Sequence, residues 1–204
     1  MPKLRTKGDL RADAMLEAAY ALFVERGFAA TAIEDVIALS GGSKSLLYKR
    51  FGNKEGLFSA LIAKVTAEIE DGMRDARIPE GAPMREALAT FARAAAGAIL
   101  RKELIDLLRL AIGEASRFPT LGAQFWRSGP EPVGALFVAY LRRRGVEGDD
   151  IEPLADLFFA MLVDRPALAM ALGARGLMEP DERDAHAARV VDAYCAIIAS
   201  RLAR

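Results

Sequence analysis

An all-α fold is predicted by three features of the sequence. Alanine and leucine dominate its 52% hydrophobic content, glycine and proline stand at intervals instead of in tracts, and no run of Val, Ile and Thr alternates with polar residues at period two. At 204 residues the chain carries enough apolar side chain for one large or two small cores. Asp9, Asp13, Glu17 and Glu25 interrupt the N-terminal stretch, which therefore fails as a signal peptide. The most apolar window, LATFARAAAGAIL, is short and holds Arg93, so no membrane span is expected and a cytoplasmic protein is. One cysteine, Cys195, rules out an internal disulfide; with the one histidine, His186, it leaves no Cys and His set for zinc. Cys195 reads as a small apolar filler and His186 as a helix-surface residue. No metal, cofactor or enzymatic activity is expected: Glu103, Asp106 and Glu114 are acids of helix faces with no His or Cys to accompany them.

The first helix follows from Met15, Ala18, Ala19, Leu22 and Phe23, which recur at the spacing of one helical face. Gly27 stops it in a left-handed C-terminal cap, with Phe28 folding back over the last turn. Thr31 and Glu34 have the T-x-x-E spacing of a capping box for a short second helix that ends near Ser40, its apolar side Ile33, Val36 and Ile37. Gly41 and Gly42 make a turn, Ser43 caps a third helix from Lys44 to Phe51, and two short helices about a glycine turn form a helix-turn-helix. Asn53 caps a longer helix with the stripe Leu57, Phe58, Leu61, Ile62 and Val65, which ends near Asp75 before Pro79, Gly81 and Pro83.

Charge is separated within this neutral chain. Its 28 Lys and Arg balance 28 Asp and Glu, yet residues 1–54 hold nine basic against six acidic side chains, a local +3. The tail MPKLRTKG adds Lys3, Arg5 and Lys7 ahead of the first acid, as a short arm that follows a phosphate backbone would. The stretch GGSKSLLYKRFGNK carries Lys44, Lys49, Arg50 and Lys54 and no acid. On its helix Leu47 and Phe51 share the core side, so Lys49 projects from the opposite side between Ser45 and Leu46, with Lys44 and Tyr48 on one shoulder and Arg50 on the other. Such a face suits a helix in a DNA major groove: central side chains reach base edges, Leu46 a thymine methyl, and the shoulders the phosphates.

The segment GFAATAIEDVIALSGGSKSLLYKRFGNKEGLF resembles the DNA-binding signature of the TetR/AcrR family of transcriptional regulators, matching it in order at Gly27, Thr31, Val36, Gly41, Ser43, Leu47, Tyr48, Phe51, Lys54, Glu55 and Leu57. The resemblance implies that Thr31, Tyr48 and Lys54 hold phosphates of an operator duplex while Lys44, Ser45 and Lys49 lie nearest the bases. It departs from the pattern at Ile37, Ser40, Gly42, Ser45 and Arg50, where the family prefers Ala, Ala, Val, Gly and His. The stretch LRLAIGEASRFPTLGAQFWRSGP is similar to the corresponding part of many members, with Glu114, Phe118 and Pro119 in the same order. The family's fold of about nine helices would divide this chain into a DNA-binding domain, 1–54, and an effector-binding and dimerisation domain, 55–204.

Further helices are readable at Pro83 to Leu100, Glu103 to Arg117, Thr120 to Arg127, Pro130 to Arg144, Ile151 to Leu172 and Pro180 to Leu202, with Asp149 and Asp150 as caps and Pro166 as a kink or break. Phe91, Leu108, Ile112, Phe125, Trp126, Phe137 and Tyr140 are candidates to line the pocket of a small apolar or aromatic effector, each with plain core as its alternative. Leu154, Phe158, Met161, Val190, Tyr194, Ile197 and Ile198 are candidates for a two-fold four-helix homodimer interface of the kind the family uses, or else intrachain core. A ligand-responsive repressor is the leading expectation. An activator, or a dimer that sequesters ligand without binding DNA, is the alternative.

Overall fold

The computed structural model describes residues 6–75, 81–146, 148 and 151–202. The basic residues Lys3 and Arg5, the break around Pro79 and the caps expected at Asp149 and Asp150 lie outside them. The described residues are helical with short connections: α1 (Lys7–Arg26), α2 (Ile33–Ser40), α3 (Lys44–Phe51), α4 (Lys54–Asp75), α5 (Met84–Ile99), α6 (Lys102–Glu114), α7 (Pro119–Ser128), α8 (Pro130–Arg143), α9 (Ile151–Phe159), a π-helical turn (Ala160–Asp164), α10 (Arg165–Ala171) and α11 (Pro180–Leu202). They form two units. The first joins the chain through Val65 to Asp106–Gly129; the second joins Thr66–Ile105 to the chain from Pro130 onward. These groupings follow packing and cut α4 and α6 internally, whereas the expected division at residue 54 follows the sequence signature.

In the first unit α1 supplies Met15, Ala19, Leu22 and Phe23, which meet Val36, Leu47, Leu57, Phe58 and Ile62 in a buried core. Phe28 stands at its centre, 5.2 Å from the Phe23 ring and edge-on to Phe58 at 6.1 Å and to Phe118 at 5.0 Å. The chain reaches this position because Gly27, at φ 85 and ψ 162, adopts a backbone that side chains exclude; it is an extended positive-φ turn and not the left-handed cap expected. Thr31 does not cap α2, whose first turn has no side-chain cap. Its buried hydroxyl instead faces the carbonyls of Gly27 at 2.8 Å and Leu22 at 3.2 Å, at the end of α1. The reciprocal capping box occurs at α1, between Thr6 and Asp9.

Two glycines are required by close approach. At Gly42 a Cβ would lie 2.1 Å from Met15 Cε, so a buried methionine from α1 occupies the space where the family's valine would stand. At Gly56 a Cβ would lie 1.9 Å from the Phe51 carbonyl oxygen, where α4 begins against the end of α3.

In the second unit α5 packs on α11, around a stack of rings. Phe137 lies 4.3 Å from Phe158, 4.7 Å from Phe91 and 5.8 Å from Tyr140, and Phe158 meets Tyr194 edge-on at 5.0 Å. Tyr194 donates its hydroxyl to the Leu154 carbonyl at 2.8 Å, and burial pushes its pKa up. Pro166 does divide the fifth C-terminal helix. Lacking an N–H, it cannot serve the Leu162 carbonyl four residues back, the π-helical turn precedes it, and His186 Nε2 sits 3.0 Å from that carbonyl. His186 is thus half-buried and bonded, not the surface residue expected, and a carbonyl partner requires a proton on Nε2.

The shared volume of Gly42 and Met15 is measurable. Gly42→Val should cost about 1–3 kcal/mol in urea unfolding through overpacking, and Met15→Ala should cost more through its cavity. The double variant should be less destabilised than the sum. Strict additivity would mean that the two positions do not compete for space.

Candidate nucleic-acid interface

The α2–α3 pair is held so that α3 shows one side. Leu47 is wholly buried, Ser43 accepts the Leu46 N–H at 3.2 Å to cap α3, and Asn53 Oδ1 accepts the Gly56 N–H at 2.7 Å to cap α4. Ser43, Lys44, Ser45, Tyr48, Lys49 and Arg50 are all exposed on α3 and its cap, with Tyr48 at 45%. Leu46 is half-buried, which leaves Ser45 and Lys49 as the outward pair at the centre of the face.

The cations on this face are not equivalent. Lys44 bonds Glu34 of α2 at 2.9 Å, which raises the lysine pKa and lowers the glutamate's. Arg50 pairs with Asp9, tying α3 to the capping box of α1. The Thr6 hydroxyl and N–H first, and the Arg50 guanidinium next, hold the Asp9 carboxyl down to about 2. Lys49 has no ion pair among the described residues.

Two expected phosphate ligands are committed elsewhere. The Thr31 hydroxyl is internal, as described above. Lys54 turns its ammonium onto the α1–α2 connector, donating to the carbonyls of Phe28 at 2.7 Å, Thr31 at 3.0 Å and Ala29 at 3.3 Å, and stands 4.6 Å from the Phe28 ring centroid. The sequence reading missed this because a lysine in a cationic run looks like part of the surface; the signal was the connector itself, whose carbonyls need donors.

The effector candidates divide between the units. Phe91, Phe137 and Tyr140 are buried in the ring stack of the second; Leu108 and Phe125 are half-buried, and Ile112 and Trp126 exposed, in the first. A cleft of about 270 Å³ in the first unit is lined by Phe23, Val24, Gly27, Asp106, Arg109, Leu110, Gly113 and Glu114, none of them a candidate. Of the carboxylates, Asp106 is buried and accepts from the Tyr20 hydroxyl at 2.9 Å and from Arg109 at 3.1 Å, while Glu114 accepts the Ala29 N–H at 3.0 Å. Both are structural acceptors. Among the dimer candidates, Leu154, Phe158, Val190, Tyr194 and Ile198 are buried inside the chain and Met161 and Ile197 are half-buried. A face made of the five is spent on the intrachain core, because the stripe that the period reveals is the one packed inward; Leu157 of α9, Leu168 of α10 and Leu172, just past α10, are exposed. Among the described residues no group of His, Cys, Asp and Glu is placed to hold a metal, and no helix is long and apolar enough to cross a membrane.

A short helix pair about a glycine turn, with one basic face outward and a second all-helical unit on the same chain, defines a protein of the helix-turn-helix regulator class. Comparison with known proteins agrees. Residues 15–61 match the family model described as bacterial regulatory proteins, tetR family, and residues 86–197 match the one described as AefR-like transcriptional repressor, C-terminal domain. The chain belongs to the TetR family of transcriptional regulators. The HTH-type transcriptional repressor ComR of Escherichia coli (strain K12) is 42% identical over 50 residues, 24% of each chain, and the curated relatives matched are spanned over a quarter to a third of their length. A putative TetR-family transcriptional regulator from Mesorhizobium loti MAFF303099 superposes with a TM-score of 0.77 at 26% identity over 95% of this chain and 98% of that one. The Flavonoid-responsive Regulator FrrA does so with a TM-score of 0.69 at 30% identity, over 92% and 96%.

Two outcomes follow from the ion pairs. Glu34→Gln frees Lys44 and should tighten binding to duplex DNA of any sequence, several-fold at low salt and less as salt screens the gain; unchanged affinity would mean that Lys44 does not reach DNA. Asp9 titrates lower in the folded chain than its ordinary 3.8, so its contribution to stability is present above that value and is lost as pH falls through about 2. Asp9→Ala should therefore lower stability at pH 6 and converge with the parent in urea unfolding towards pH 2.

Proposed function

We propose that the protein is a cytoplasmic homodimeric repressor that binds an inverted-repeat operator through α3 and is released by a small effector. The observation that carries this reading is the outward pair Ser45 and Lys49, flanked by exposed Tyr48 and Arg50 and anchored from behind by the buried Leu47. A helix so presented fits a major groove, and a two-fold dimer would set half-sites roughly 34–36 Å apart. The exposed leucines 157, 168 and 172 supply apolar area for the second copy. Lys44 and Arg50 would exchange their partners Glu34 and Asp9 for phosphates.

For the effector we favour a flat aromatic molecule with a polar edge. FrrA is by its name flavonoid-responsive, and in this chain the buried Tyr140 hydroxyl has no described hydrogen-bond partner beside the Phe91 and Phe137 rings. A polar group of such a ligand would satisfy that hydroxyl. Release requires the effector to bind the DNA-free form more tightly, typically by about 1–3 kcal/mol of coupling.

The test is a gel shift on DNA flanking the protein's own gene, with a salt series. A dimer that neutralises about eight phosphates gives a log-log slope near −7. Lys49→Ala should relax sequence preference, whereas Tyr48→Phe should weaken all duplexes alike and leave the slope unchanged, because no charge is removed. Equal, sequence-independent losses from both variants would refute the division of roles on α3.

A further inference from the structure

The connector between α1 and α2 is gripped from two helices at one peptide. The Phe28–Ala29 peptide donates its N–H, that of Ala29, to Glu114 Oε1 at the end of α6 and accepts Lys54 Nζ, from the start of α4, on its carbonyl, that of Phe28. Lys54 also takes the carbonyls of Ala29 and Thr31. The approach of Glu114 depends on Gly27, whose Cβ, if present, would crowd Glu114 Oε1 at 3.3 Å. Below the pair the Phe28 ring is wedged against Phe118, just beyond α6. A second bond fixes α6 to α1 two turns earlier, between Asp106 and Tyr20.

We infer that Lys54 and Glu114 are positioning residues for DNA binding: together they clamp the Phe28–Ala29 peptide and thereby set the pose of α2 and α3, without either side chain touching DNA. The inference rests on the reading of α3 as the DNA-contacting helix, and it reassigns Lys54 from phosphate ligand to internal clamp. A peptide with one side bonded to a carboxylate and the other to an ammonium carries two charge-assisted bonds, the strong kind, and both are short-range. Loss of either partner leaves a backbone group of the connector without its partner and lets α2 start from a different place. α4 and α6 are also the two helices whose residues are divided between the units, so each arm of the clamp stands on a helix that continues into the second unit's residues.

The experiment uses the full chain with Lys54→Met, Glu114→Ala and Glu114→Gln. Three readouts are taken: hydrogen exchange at the Ala29 amide, thermal unfolding, and affinity for duplex DNA flanking the protein's own gene across a salt series. Glu114→Ala should speed Ala29 exchange at least tenfold and weaken binding about tenfold. Glu114→Gln, which keeps an acceptor oxygen, should restore most of both. Lys54→Met should weaken binding with the salt slope unchanged, whereas a phosphate ligand in each protomer would take about two units from the dimer's slope. A slope that drops by about two for Lys54→Met, or normal affinity in Glu114→Ala while the parent binds, overturns the clamp alone. Affinity losses that only track the fall in thermal stability, with no rescue by glutamine, also overturn it. A parent chain that binds no duplex at low salt removes the reading of α3 and the clamp's role with it, and Ala29 exchange then reports whether the bonds exist for stability only.

Discussion

Buried backbone groups in a connector have no ladder to bond to, and meeting that demand organises the whole first unit. Between α1 and α2 the chain buries Phe28 and Thr31 and half-buries Gly27 and Ala29, so backbone groups there lose much of their water. The partners come from every side: Thr31 turns its hydroxyl back to α1, Lys54 supplies an ammonium from α4, and Glu114 a carboxylate from α6. Three polar side chains that look available for surface chemistry are therefore consumed inside. With the connector fixed, Val36 and Leu47 find the core and α3 has only one side left to show.

That outward side is less electropositive in the free chain than its sequence suggests. Glu34 from α2 and Asp9 from α1 stand against Lys44 and Arg50, and pairs this exposed are held weakly and screened by salt. They suit a surface that must surrender its partners to a polyanion, since exchanging one carboxylate for a phosphate oxygen costs little. In the proposed reading Lys49, outside any such pair among the described residues, is the side chain left to sample bases, and paired shoulders about an unpaired centre would correspond to positioning contacts about readout.

Helix bounds, glycine stops and the caps at Ser43 and Asn53 were legible in the sequence because each is a local matter of spacing and backbone conformation. The order of the signature, with Leu47 inside and Lys49 outside, was legible for the same reason. What a polar side chain does over long range was not. Thr31 and Glu34 have capping-box spacing, yet Thr31 turns back to the carbonyls of Leu22 and Gly27 and Glu34 pairs with Lys44, partners that the spacing does not show. Thr6 and Asp9 form the box instead, at a place where the charge run drew the eye to phosphates. Periodicity likewise reveals that α9 and α11 each have an apolar stripe but not which neighbour receives it, and the α5 side and the ring stack of the second unit received most of it.

Local departures, from the family pattern at Gly42 and from regular helix at Pro166, are answered by residues far away in sequence. Gly42 withdraws a side chain from the turn and Met15 fills the volume from the middle of α1. Pro166 withdraws an N–H from the helix and His186 supplies a donor to the stranded Leu162 carbonyl from α11. In both cases the deficit is of a definite kind, a missing volume or a missing proton, and the compensating group is of that same kind. A methionine suits the first because its unbranched chain adapts to the space it is given. An imidazole suits the second because its ring N–H reaches a carbonyl while the rest of the ring packs. The chain's one histidine is thereby explained by geometry: it belongs to the repair of a broken helix, and its presence near the end of a regulator needs no chemistry beyond a hydrogen bond.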